Sequence, residues 1–346
     1  GVSVYAWKDS RGGVRASVFD ANTGSPFQSD VSISSSGDNP KVIAFGNAIF
    51  VFYNETGNIY LRRLVPGTPQ TFETAYLVGN DLISTYLFDV AVSGTKGVIV
   101  YKTSGGMAMK YIRDNGTVGT TSYNLPNPIT ISEAPAGCLT VAVDPATGNI
   151  WVYWQINSSC IKYKIYYPDF TQYKATTVLD SDTLIRPGRI VAIQNGVNQN
   201  VYYEVSTAYD AGSGLYINIQ ITANGNKGYI KSAVAVPTGS PSASSVFAKS
   251  VGIYSKPWIY NSKVHFIASY GSTLQSQYFI YNENGNVVGK ILPQLGGGHR
   301  SNNIASEANM SGNVVQVATQ IKTRFVSENN KFFTPTGVAL STINHQ

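Results

Sequence analysis

A pattern of short strands joined by tight turns recurs along the whole chain, and it constrains the fold more than any other feature. It is clearest in residues 88–94, 98–102 and 107–112, three apolar runs that are followed by Asp114-Asn115-Gly116 and by a fourth run at residues 119–123. Such runs, bounded by Gly, Asn and Asp, are typical of β-strands. The pattern therefore predicts an all-β fold built from four-stranded units.

The second strand of each unit gives a marker for the repeat. The markers lie 45, 49, 52, 51, 63 and 50 residues apart, and they are Val4, Ile49, Val98, Ile150, Val201, Val264 and Val314. Units of about 50 residues with about four strands each are the sequence signature of a β-propeller. We therefore predict a seven-bladed β-propeller.

The first and second strands of the units differ in character. First strands are compact apolar runs that suit a crowded central axis, at residues 42–45, 90–92, 139–143 and 190–193. Second strands are rich in aromatic residues, at residues 50–53, 150–154, 201–203 and 264–267. Large rings at this position are expected to fill the space between neighbouring blades.

The two ends of the chain are predicted to close the ring. Residues 2–7 resemble a second strand with no first strand before it, and residues 337–341 resemble a first strand with nothing after it. Joining them completes one blade and removes two open sheet edges. Residues 1–346 are thus expected to form a single propeller domain, which neighbouring termini would allow to sit inside a longer polypeptide.

Loops are the expected place for contacts with a partner or ligand. The longest spacing, 63 residues, is assigned to surface loops at residues 209–214 and 238–242. The expected partner or ligand surface combines one such loop with charged residues near the channel mouth: Asp89, Asp182, Arg186, Arg189, Tyr209, Asp210, His299 and Arg300.

Catalysis finds little support in the sequence. A glycosidase needs two carboxylates flanking the scissile bond, and no spacing pairs the acidic residues expected near the channel, which are Asp89, Glu133, Asp144, Asp182 and Glu307. We interpret them as solvated loop charges and turn caps. The segment from Asp144 to Trp151 approaches an aspartate box, but the distance from Asp to Gly is wrong, which favours a turn followed by a packed Trp.

No catalytic residue, metal site or cofactor is predicted. The three histidines are scattered, and the glycine-rich residues 296–298 lack the Lys-Ser/Thr of a phosphate-binding loop. Cys138 is expected on a first strand and Cys160 on a third strand, about two strand spacings apart, so both are predicted to be free thiols. The net charge of +6 is dispersed, and no apolar run is long enough for a membrane span.

The sixth unit carries a resemblance to a known family. Residues 272–290, with Tyr278 to Tyr281 and Asn284-Gly285-Asn286, and the following glycines 296–298 resemble a stretch in nozzle, or tail-hub, proteins of short-tailed bacteriophages. The resemblance implies a virion tail component that forms a homo-oligomeric ring with other tail proteins and transiently contacts DNA. It implies no catalytic residue.

The leading interpretation is therefore a non-enzymatic structural and interaction module of a phage tail, located in the virion. The alternative is a carbohydrate-binding or glycoside-cleaving, sialidase-like propeller, for which secretion would be expected. In that case surface Tyr and Trp would stack on sugar rings.

Overall fold

The computed structural model describes residues 1–9, 12–64, 71–80, 87–114, 129–133, 135–157, 160–181, 191–195, 198–207, 210–221, 224–234, 251–253, 258–260, 263–270, 276–281, 287–291, 306–311, 314–322, 325–326, 332–333 and 336–344. Throughout these residues the regular elements are β-strands. No helix within them is long and apolar enough to cross a membrane. The chain divides into two compact units, residues 1–20 with 25–183, and residues 21–24 with 184–346.

The first unit contains four antiparallel sheets whose strands follow one another in chain order. The first sheet consists of β1 (Val2–Lys8), β2 (Val14–Asp20) and β3 (Pro26–Ser34). The second consists of β4 (Asp38–Phe45), β5 (Ala48–Glu55), β6 (Asn58–Leu64) and β7 (Tyr76–Gly79). The third consists of β8 (Phe88–Ser93), β9 (Lys96–Thr103), β10 (Gly106–Arg113) and β11 (Ile129–Ile131). The fourth consists of β12 (Leu139–Val143), β13 (Ile150–Asn157), β14 (Cys160–Tyr166) and β15 (Gln172–Asp180).

The second unit contains further antiparallel sheets. One consists of β16 (Val191–Asn195), β17 (Asn198–Thr207), β18 (Asp210–Ile221) and β19 (Lys227–Val234). The next combines β20 (Val251–Ile253), β21 (Trp258–Tyr260), β22 (Lys263–Tyr270), β23 (Ser276–Tyr281) and β24 (Val287–Ile291). The last two are formed by β25 (Ser306–Ser311), β26 (Val314–Lys322) and β29 (Thr336–Asn344), and by β27 (Phe325–Val326) and β28 (Phe332–Phe333).

The predicted all-β fold with repeated four-stranded sheets is confirmed. The markers from Ile49 to Val314 all fall on the second strand of a sheet, and Val4 falls on β1, at the edge of the sheet β1-β2-β3. Seven-bladed closure and a single domain over residues 1–346 stay predictions.

The core of the first unit lies between neighbouring sheets and is built on the aromatic second strands. Along β5, Phe50 and Phe52 pack with Phe88 of the following sheet, whereas Val51 and Tyr53 pack with residues of the preceding sheet. This alternation follows from the period of two in a strand, and it makes both faces of β5 buried. Each fully buried Phe contributes roughly 2–3 kcal/mol of hydrophobic stabilisation.

One expectation about the loops needs correction. Residues 210–214 are not an open loop, because they belong to β18, where Gly214 pairs with Ser206 beside a bulge. The insertion therefore lengthens a hairpin. Residues 337–341 lie in β29, which pairs with β26 in nine register positions.

Two glycine-containing turns have the backbone that their residues favour, and the prediction of two free cysteines is confirmed. Gly24 and Gly225 have positive φ angles of 72° and 70°, as turns of this chemistry require. Cys138 and Cys160 are both free and half-buried. Cys138 donates its thiol hydrogen to the Oε1 atom of Gln155 at 3.4 Å, across the first hairpin of the fourth sheet.

Candidate functional site

The structure describes only a small part of the partner or ligand surface that the sequence predicted. Asp210 is the first residue of β18, paired with Thr207, and only its backbone is described. Asp89 is the one member whose side chain is described, and it is buried. The other predicted members lie outside the described residues: Asp182, Arg186, Arg189, Tyr209, His299 and Arg300. The surface as a whole therefore stays a prediction.

Asp89 links three first strands of the first unit, which corrects its interpretation as a solvated loop charge. Its Oδ2 atom accepts hydrogen bonds from the Thr140 hydroxyl at 2.6 Å and from the Val141 backbone N–H at 3.0 Å, both on β12. Its Oδ1 atom lies 3.3 Å from Nζ of Lys41 on β4. With only 1% of Asp89 exposed, this carboxylate holds β4, β8 and β12 together and has no access to a substrate.

The other described acidic candidates are also engaged in local structure. Glu133 lies 3.5 Å from Nζ of Lys162 and accepts a hydrogen bond from the Thr176 hydroxyl at 2.6 Å. Asp144 accepts hydrogen bonds from Ala146 N–H and the Thr147 hydroxyl, which confirms the turn interpretation of this segment. Glu307 lies on β25, where only the backbone is described.

A turn that the sequence analysis did not single out has the features of a binding site. Residues 167–173, here called the Tyr167 turn, comprise the connection from β14 to β15 and the first two residues of β15. Tyr167 N–H donates to the Thr171 carbonyl at 2.9 Å, and Phe170 N–H donates to the Tyr167 carbonyl at 2.9 Å. Phe170 has a φ angle of 69°, in the left-handed region where a bulky residue is a genuine outlier. Backbone strain of this kind concentrates at functional sites.

The strained residue fixes the turn to the preceding sheet. Phe170 stacks on Tyr111 of β10 at 4.6 Å between ring centroids, and the Tyr111 hydroxyl donates to the Pro168 carbonyl at 2.8 Å. Nζ of Lys96 lies 4.5 Å from the Tyr111 ring centroid. Burial raises the pKa of Tyr111, and the nearby charge of Asp169 raises it further. The hydroxyl therefore stays protonated and available as a donor at neutral pH.

The fixed turn presents two tyrosines and a carboxylate. Tyr167 is 43% exposed, and its ring meets that of Tyr173 edge to face, with centroids 5.0 Å apart and planes at 79°. Asp169 is exposed, and its Oδ1 atom accepts hydrogen bonds from Thr171 N–H at 2.8 Å and from the Thr171 hydroxyl at 2.6 Å. These hydrogen bonds lower the pKa of Asp169, so the group is a carboxylate at neutral pH.

Part of this site had a signal in the sequence. Tyr166-Tyr167-Pro168-Asp169 combines aromatic residues with a Pro-Asp pair, which favours a turn. The stacking of Phe170 on another sheet had no signal in the sequence, because its partner Tyr111 is distant in the chain.

Among the described residues, no group of three or more His, Cys, Asp or Glu side chains is arranged to hold a metal ion.

Comparisons with known proteins relate the chain to others through its fold. No protein-family model and no curated protein matches the chain. A solved protein from Lactobacillus plantarum aligns with a TM-score of 0.59 at 9% identity, covering 99% of this chain and 100% of that chain. The periplasmic gluconolactonase of Pseudomonas aeruginosa aligns with a TM-score of 0.54 at 12% identity, covering 98% and 99%.

A lectin gives a third match. The Aleuria aurantia lectin, solved with Fucα1-6GlcNAc, aligns with a TM-score of 0.51 at 9% identity, covering 87% of this chain and 95% of the lectin. The chain has a β-propeller-like fold. At these identities the likeness concerns the fold alone. The similar structures include both an enzyme and a lectin. The resemblance of residues 272–290 to phage nozzle proteins gains no support from these structures.

Proposed function

We propose that this chain is a carbohydrate-binding β-propeller and that the Tyr167 turn is a glycan-binding surface. The observation that carries the proposal is the edge-to-face pair of the exposed Tyr167 and the half-buried Tyr173, beside Phe170, which holds the turn. Aromatic rings supply rigid apolar surface with a polar edge, which suits the apolar face of a sugar ring and its hydroxyl groups. The lectin among the similar structures supports the same class of function.

Rigidity is the second support for this proposal. A binding surface that is fixed before the ligand arrives loses less conformational entropy on binding. The Tyr167 turn is fixed by backbone hydrogen bonds within it and by the Tyr111 hydroxyl bond to Pro168. A Cβ atom at Gly148 would lie 3.0 Å from the Pro168 ring, so the neighbouring β12–β13 turn also packs against it.

The proposal is for binding and not for glycoside cleavage. Cleavage needs two carboxylates about 5–10 Å apart with access to the substrate. The candidates Asp89, Glu133 and Asp144, whose side chains are described, are occupied by hydrogen bonds or ion pairs to neighbouring strands and turns. The virion location, the oligomeric ring of tail proteins and the contact with DNA stay predictions from the sequence.

The test is binding of the purified protein to a panel of immobilised glycans. Tyr167→Ala is expected to weaken binding to the best glycan about tenfold, because one stacking ring is lost. Tyr173→Ala is expected to act in the same direction. Phe27→Ala is the matched control, since Phe27 is also an exposed aromatic residue, at 50%, but lies on β3.

Two outcomes would contradict the proposal. The first is that the wild-type protein binds no glycan on the panel. The second is that Tyr167→Ala and Phe27→Ala bind as well as the wild type does. A ring-shaped oligomer found by mass measurement, in a protein that binds no glycan, would instead favour a structural tail component.

A further inference from the structure

We propose that the Tyr167 turn selects neutral glycans over anionic ones and that Asp169 makes the selection. This inference rests on the proposed function and adds the class of ligand. It comes from the position of one exposed carboxylate, two residues from Tyr167 and four from Tyr173 on the same turn.

Asp169 is exposed and fixed in place by Thr171. Its Oδ1 atom is held by the backbone N–H and the hydroxyl of Thr171 at 2.8 and 2.6 Å, and neither of these bonds uses Oδ2. A carboxylate has two acceptor oxygens when ionised, so Asp169 has acceptor capacity left for a sugar hydroxyl. Hydrogen bonds to an ionised acceptor are shorter and stronger than neutral ones.

The same charge disfavours acidic sugars. A uronic or sialic acid on the two tyrosines would bring a second carboxylate close to Asp169, and like charges repel.

Two lysines near the turn are placed where their positive charges do little to offset this repulsion. Since Phe170 covers one face of Tyr111, Lys96 lies over the opposite face, with the ring between it and the turn. Lys174 follows Tyr173 on β15, and successive side chains of a strand point to opposite faces.

Lys164 is another cation near the turn. Its Nζ lies 5.2 Å from the Tyr166 ring centroid, on the strand that leads into the turn. This contact directs the ammonium to the Tyr166 ring and not to the pair of Tyr167 and Tyr173. Asp169 is thus the ionised group that the described residues place on the turn itself.

The experiment compares neutral glycans with anionic counterparts. The probes are lactose and sialyllactose, and polygalacturonate in its free and fully methyl-esterified forms, all at low ionic strength. The wild-type protein is expected to bind the neutral member of a pair about tenfold more tightly. Asp169→Asn keeps the shape and the Thr171 contacts, and it is expected to reduce that preference to about twofold while weakening neutral binding.

The outcomes separate this inference from the proposed function. If neither member of any pair binds, or if Tyr167→Ala leaves binding unchanged, the proposed function fails and this inference fails with it. If binding depends on Tyr167 but the anionic member binds equally well, only the selection of neutral glycans is wrong. An unchanged preference in Asp169→Asn would likewise overturn the role of Asp169 alone. Lys174→Gln is the control variant, and we expect it to keep the wild-type preference.

Discussion

The ring of Phe170 is stacked on the ring of Tyr111, with centroids 4.6 Å apart and planes inclined by 13°. Tyr111 belongs to β10 of the third sheet, whereas Phe170 lies in the turn that joins β14 to β15 of the fourth. One contact thus packs two sheets together and holds the turn that carries Tyr167 and Tyr173. The φ angle of 69° at Phe170 directs its ring to this position.

Phe170→Ala is expected to destabilise the protein by about 3 kcal/mol, because it removes a buried aromatic ring. Phe170→Gly removes the same ring but tolerates the positive φ angle, so we expect it to be more stable than Phe170→Ala by about 1 kcal/mol. Urea unfolding of both variants measures the difference. The opposite order would mean that this residue does not have a left-handed backbone in solution.

The same variants bear on function. Because Phe170 fixes the turn, both are expected to weaken glycan binding severalfold through loss of order. Binding isotherms at a temperature where each variant is folded would show this. Wild-type affinity in both variants would contradict the argument that a fixed turn is needed.

Asp89→Asn is expected to cost about 2–3 kcal/mol of stability. The amide can still accept from Thr140 and Val141, but Lys41 loses the opposite charge 3.3 Å away in a largely buried setting. Asp38→Asn is the matched control, because its ion pair with Lys8 is longer, at 4.0 Å, and partly exposed. The control is expected to cost less than about 1 kcal/mol. Equal losses, measured by chemical denaturation, would argue against Asp89 as a link between strands.

Alkaline pH is expected to destabilise the protein through Tyr53. Burial and, to a lesser extent, the nearby charge of Glu55 raise the pKa of Tyr53 from 10.0 to about 12. Because the folded-state pKa is raised, the stabilisation is fully present below pH 10 and is lost as the pH rises through 12. Tyr53→Phe should remove about 2 kcal/mol of the fall in stability between pH 10 and 12.

Denaturant unfolding across this pH range tests the prediction for Tyr53. Tyr167→Phe, which alters an exposed ring, is the matched control for loss of a phenol. A Tyr53→Phe protein that loses stability with pH as steeply as the wild type does would contradict the assignment.

Gly106→Ala is expected to cost at least about 3 kcal/mol of stability, because the strain of a positive φ angle and a steric clash add. Gly106 has a φ angle of 129°, and a Cβ atom there would lie 2.2 Å from the Ile131 carbonyl oxygen on β11. Its neighbour Gly105 has no atom within 4 Å of such a Cβ, so Gly105→Ala should change stability by less than about 1 kcal/mol. Thermal unfolding of the pair checks both values, and a mild effect of Gly106→Ala would mean that β11 does not pair with β10.

The sequence by itself determined the elements of the fold, because their signals are local. The alternation of apolar residues placed Ile49, Val98 and Ile150 on second strands, and the turn residues at Gly24 and Gly225 required positive φ angles. A period of two and the backbone freedom of glycine act within a few residues, and so they can be read without knowing the rest of the molecule.

Only the tertiary structure decided where single side chains of the candidate site lie. Asp89 had the sequence context of a loop charge, but packing of β4, β8 and β12 buries it against Lys41 and Thr140. Tyr111 and Phe170 are far apart in the chain, and they meet because neighbouring sheets pack face to face. Such contacts depend on the register and twist of two sheets at once, which no local pattern encodes.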